Sequence, residues 1–185
     1  MNMQNRIDRC IVRMTFKAPC YAALAMSLEP CESAACPTMA TDGVSLFYNA
    51  EGIEQANWTD EHVMAVICHE VEHCARLHMC RRGDRDMQTW NMATDYVINE
   101  SVADSGFMLP QGCLREPQYA ALAEEQVYEL LAEQEQEQER GPGECQGGGD
   151  DGSGEPSAEP PCGSASPCLS LPPLPEPLCG SSSCC

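Results

Sequence analysis

The chain has 185 residues, with 29 acidic against ten basic side chains and a formal net charge of −19. Such a surface repels phosphate backbones and excludes a general nucleic-acid binder. No stretch approaches the roughly 20 apolar residues that span a bilayer, so neither nucleic acid nor membrane is expected as a partner.

All ten Lys and Arg precede Gly141, against 23 acids in the same span. From Gly141 onward the sequence turns to Gly, Pro, Ser, Cys and acids with no apolar periodicity. Residues 1–140 therefore read as one domain and 141–185 as a disordered acidic Gly/Pro/Ser/Cys-rich tail. Fourteen cysteines would suit a disulfide framework in a short secreted chain, but their spacings are scattered and no CxxC pair occurs. A reduced, cytoplasmic setting is the expectation.

In chain order, residues 4–28 carry helical signals interrupted by Pro19, which predicts two helices. In "CPTMATDGVSLFYNA" the "TDG" turn separates Thr38–Ala40 from Val44–Tyr48, the second run rich in strand formers, which predicts a hairpin. A long helix then starts at Thr59, an N-cap, with Trp58 and Val63 as a hydrophobic staple and Asp60 and Glu61 at the positive end. Val63, Val66, Ile67, Val71, Cys74 and Leu77 recur every three or four residues as its core face. "GDRD" (83–86) is the expected break. Asp86 caps the next helix, which runs to about Asp104, and a last helix carries Val127, Leu130 and Leu131 on one side. Cys68, Cys74 and Cys80 read as buried small apolar residues.

The chemistry concentrates in "HEVEHCARLH" (69–78). Residues four apart lie on one helical face, so His69 and His73 can direct their imidazoles at one ion while Glu70 flanks it without ligating. That is the logic of HExxH: two neutral imidazoles, a third protein ligand and a water surround zinc, and the glutamate takes the proton of the water.

His78 lies five residues after His73, about 140° around a continuing helix. It can ligate only if the helix breaks near Leu77, where no Gly or Pro stands. Asp95 and Glu100 on the following helix are the carboxylate candidates, and they too are about 140° apart, so only one should face the ion. "NESVAD" (99–104) is similar to the NExxxD stretch of thermolysin-like gluzincins, in which the glutamate ligates.

The pieces "ATDGVSLFYN", "HEVEHCARLHMCRRGDRD", "WNMATDYVIN", "GFMLPQG" and "EEQVYELL", in this order, resemble the "putative metallopeptidase domain" family of bacterial and phage proteins, often paired with a von Willebrand factor A-like region. The resemblance covers about residues 5–132. It implies roles for His69, Glu70, His73, His78, Arg81, Trp90, Asn91, Asp95 and Asn99. It favours Asp95 as third ligand, with Glu100 and His78 as alternatives.

Two departures stand out. Ala123 occupies a position that in the family usually caps the third helix, and a Pro, Ser and Cys tail follows the acidic linker where a further folded region is usual. A von Willebrand factor A-like partner would then be encoded separately or lost.

The expected architecture is an α+β, zincin-like domain with a small sheet and mainly helices. A peptide or protein substrate would add as a strand along the sheet edge above the motif helix. The expected function is zinc-dependent peptide-bond hydrolysis with Glu70 as general base, of internal bonds rather than chain ends. His78, Arg81, Asn91, Tyr96 and Asn99 would support the ligands or an oxyanion. The alternative is a non-catalytic interaction module stabilised by zinc.

Overall fold

A computed structural model describes residues 2–139; the tail read from the sequence lies outside the described residues. The described chain is mostly helical with one three-stranded sheet.

Helix α1 (Met3–Lys17) begins where Asn2 accepts the backbone N–H of Gln4, and it buries Met3, Ile7, Cys10, Ile11 and Met14, spaced three or four apart. Pro19 cannot continue that helix and instead opens α2 (Pro19–Ala25) at its first position.

Three strands follow: β1 (Glu29–Glu32), β2 (Met39–Thr41) and β3 (Ser45–Tyr48), in the order β1-β3-β2. The expected hairpin is β2 and β3, antiparallel, with Met39 opposite Tyr48 and Thr41 opposite Leu46. Its turn is closed by Asp42, whose carboxylate accepts from the N–H groups of Val44 and Ser45, and by Gly43 at φ +92°. Strand β1 runs parallel to β3 and was not legible: "EPCE" shows no alternation, and its proline is tolerated because the strand lies at an edge. A short helix α3 (Ala50–Gln55), capped by Asn49, was also not foreseen.

Helix α4 (Asp60–Ala75) starts at Thr59 as expected. The Thr59 side chain accepts from His62 N–H while the His62 ring accepts from Thr59 N–H, closing a capping box with a histidine in the usual Glu/Gln position. Val63, Val66, Ile67 and Val71 are buried in the main core with residues of α1, α2 and the sheet.

The first turn of α4 is tied to α1 by Asp60, which faces Arg6 at 2.9 Å and Arg13 at 3.2 Å. Arg6 donates to Asp60 and holds its carboxyl below the usual range, against a smaller opposing effect of burial. The folded pKa is thus lower than the unfolded one, so this contribution is present above the unfolded value of about 3.9 and fades as pH falls through the folded value. Accordingly, Asp60→Asn should destabilise the protein at pH 7. The gap to the parent in urea melts should close as pH is lowered from about 5 to 3.

The motif helix ends at Ala75, not at "GDRD". Leu77 adopts the left-handed conformation (φ 56°, ψ 38°), and a four-residue helix α5 (His78–Arg81) starts directly after it. Left-handed residues are usually Gly or Asn, which is why the sequence carried no sign of the break.

Helix α6 (Met87–Asp104), capped by Asp86, packs on both α4 and α7 (Glu124–Glu139). A second apolar cluster of Ala93, Val97, Tyr119, Val127 and Leu131 fills the α6–α7 side. Leu130, expected on the inner face, is 39% exposed.

Candidate metal centre

His69 and His73 lie one turn apart on α4, and α6 brings Asp95 against both. The three donor atoms form a small triangle. His69 Nε2 and His73 Nε2 are 3.0 Å apart, and Asp95 Oδ1 is 3.4 Å from the first and 3.3 Å from the second. A tetrahedral site with metal–ligand bonds of 2.0–2.1 Å has ligand–ligand edges of about 3.3 Å. The donor set therefore fits a small divalent ion in both spacing and chemistry. The group is buried, with side-chain exposures of 3% for His69, 7% for Asp95 and 16% for His73, so His73 marks the open side.

The electrostatics express the same demand for positive charge. Burial opposes a proton on His69, yet Asp95 and Glu70 beside it and Asn99 accepting from it raise its pKa to about 9. Burial likewise opposes an ionised Asp95, yet the two imidazoles bring its pKa to about 2.

Each imidazole of the group is held by its far nitrogen. His69 Nδ1 donates to Asn99 Oδ1 at 2.9 Å, and the Asn99 amide is oriented by its own donation to the Leu114 carbonyl at 2.9 Å. His73 Nδ1 meets His78 Nδ1 at 3.1 Å, and His78 Nε2 meets Glu124 Oε1 at 3.2 Å.

Glu70 is 3% exposed, and its carboxylate has no hydrogen-bond partner among the described residues. Burial pushes its pKa up, against the pull of His69 and His73. It faces the β2 side of the helix, where its charge adds to the upward effect of burial on the Cys36 and Cys74 thiols.

The family described as "putative metallopeptidase domain" matches residues 2–165. The chain belongs to that family. Membership implies a metal, and His69, His73 and Asp95 are the described group able to hold one. The match runs past residue 140, into the stretch that composition assigned to the tail. No curated protein and no solved structure matches the chain, and no described helix is long and apolar enough to cross a membrane.

The other positions named from this family separate into groups. Asn99 Oδ1 accepts from His69 Nδ1. Asn91 lies one turn before Asp95 on the same face of α6, half-buried, with no side-chain partner among the described residues.

Glu100 points elsewhere: Arg115 holds both its oxygens, at 3.1 and 2.8 Å, and it is absent from the donor cluster. His78 reaches His73 because the helix does break at Leu77, but both of its ring nitrogens are engaged, by His73 and Glu124, and it is absent from the donor group.

Arg81 and Tyr96 both stand outside the donor group. Arg81 pairs with Glu124 at 2.9 Å and bidentately with Glu125 at 2.7 Å. Tyr96 packs edge-on to Tyr119 at 4.9 Å between rings, beside the α6–α7 cluster.

Of the three motif-region cysteines, Cys68 is fully buried and burial pushes its thiol up to about 12, Cys74 is half-buried, and Cys80 is exposed.

Sequence reasoning missed Glu124, a 4% exposed carboxylate at the start of α7. Burial opposes its charge, but its own backbone N–H, Arg81, Arg76 and His78 together bring its pKa to about 2. The available signal was Ala123: a helix start without a capping hydroxyl needs other acceptors. Gln126 Oε1 accepts from Ala123 N–H, and the Glu124 carboxylate takes its own backbone N–H.

Proposed function

We propose that the protein is a zinc-dependent, zincin-like endopeptidase in which His69, His73 and Asp95 hold the ion and Glu70 is the general base. The observation that carries this reading is the donor triangle of 3.0, 3.4 and 3.3 Å with Glu70, 3% exposed, beside it on the same helix. When bound, zinc supplies Lewis acidity that polarises a carbonyl and makes a water acidic near neutral pH.

Glu70 then moves the proton. Its burial disfavours the charged form, which makes the carboxylate a stronger base than one in water. It accepts a proton from the attacking water and delivers it to the leaving amine. Asn91, with a free side-chain amide on the Asp95 face, is the described donor best placed to bind the substrate carbonyl.

Strand addition to the sheet needs revision at β2. Met39, Ala40 and Thr41 are 0%, 1% and 6% exposed, so this strand offers no accessible backbone along its length. Substrate approach on the His73 side agrees with the exposure of the three donors.

The test is the purified full chain. About one equivalent of zinc should copurify, hydrolysis of an unfolded protein substrate should stop on chelation, and activity should return with zinc. A metal-free preparation that cleaves at an undiminished rate would refute the proposal.

A further inference from the structure

The region behind His73 contains a second set of side chains that the hydrolytic reading does not use. We propose that Glu124, acting through His78, is a positioning residue that fixes the proton of His73 on Nδ1 and so keeps His73 Nε2 bare for the ion. The inference rests on the reading of His73 as a metal ligand.

The geometry runs in one direction. Glu124 Oε1 faces Arg76 at 3.0 Å, and its Oε2 faces Arg81 at 2.9 Å. Two permanently charged guanidinium groups keep the carboxylate ionised, and an ionised carboxylate only accepts hydrogen bonds. His78 Nε2, 3.2 Å away, must therefore carry a proton. With that proton on Nε2, a neutral His78 presents a bare Nδ1 to His73 Nδ1 at 3.1 Å, so the proton between the two rings belongs to His73. The remaining nitrogen of His73, Nε2, faces His69 Nε2 and Asp95.

His78 is itself pinned. Its carbonyl accepts from Trp90 Nε1 at 3.1 Å, its ring stands edge-on to Trp90, and its side chain is 3% exposed.

The two ligand histidines are thus oriented by different means. His69 leans on a neutral amide anchored to a backbone carbonyl, whereas His73 leans on an imidazole that ends in a carboxylate. The carboxylate end comes from α7, more than 40 residues beyond the motif, so the proton placement of a motif histidine depends on a helix that supplies no metal ligand. Glu125, which grips Arg81 but does not touch His78, serves as a control on the same turn.

The experiment measures Zn2+ affinity by competition with a chelator, in the full chain, for the parent, Glu124→Gln, Glu125→Gln and His73→Ala. Glu124→Gln is expected to weaken zinc binding by about 10- to 100-fold, the range for groups that orient a ligand from behind, while Glu125→Gln binds as the parent does. Nitrogen-15 spectra of the zinc-loaded parent should place the proton of His78 on Nε2 and that of His73 on Nδ1. Parent-like affinity in Glu124→Gln overturns the proposal, as does a His78 proton on Nδ1. The spectra decide the matter even where Glu124→Gln fails to fold. Parent-like affinity in His73→Ala would instead remove His73 from the metal site and with it the hydrolytic reading, an outcome distinct from failure of Glu124 alone.

Discussion

Glu70→Gln should lower peptide hydrolysis by about a hundred- to ten-thousand-fold, the usual contribution of a positioned general base, while bound zinc stays at the parent level. The two effects separate because Glu70 is outside the donor triangle: His69, His73 and Asp95 converge without it. The substitution should not harm the fold either. A charged carboxylate on a residue that is 3% exposed is costly to bury, and a neutral amide of the same shape lowers that cost. Steady-state cleavage, zinc content and thermal melting on the same preparation check all three statements. An undiminished cleavage rate would transfer the base to another group, and a non-catalytic zinc module would show no cleavage in either protein.

Asp95→Ala should weaken zinc binding by well over 100-fold, more than is typical for the loss of a group that merely supports a ligand. Two imidazoles with Nε2 atoms 3.0 Å apart would remain, without the carboxylate that completes the triangle and supplies its negative charge. Glu100→Ala is the matched comparison. Its carboxylate is clamped by Arg115 on the other side of α6, so zinc affinity should be unchanged. The reverse result, loss in Glu100→Ala and retention in Asp95→Ala, would favour the thermolysin-like arrangement of ligands.

Much of the centre could be read from local periodicity. The i, i+4 spacing of His69 and His73 fixed their common face, and the same rotation argument divided Asp95 from Glu100 on α6 before any contact was visible. The hairpin was legible because "TDG" has a side chain and a glycine suited to its turn. What failed to show itself depended on tertiary structure. Strand β1 owes its existence to pairing with β3 rather than to its own pattern. The pairing of Arg81 with Glu124 and Glu125 left no local trace, because these partners lie more than 40 residues away. A helix without Gly or Pro is expected to continue, which would turn His78 away, and Leu77 breaks it all the same.

That leucine has a further meaning. A left-handed leucine is disfavoured by roughly 1–2 kcal/mol in an isolated chain, so the turn has no local reason to form. It is held from outside, by Trp90 of α6 gripping the carbonyl of the next residue and by Glu124 of α7 gripping its ring. A peptide comprising only the motif region would run on as one helix and carry His78 around to another face. The ten residues that advertise the centre therefore do not encode it alone; its third histidine is placed by the two helices that follow.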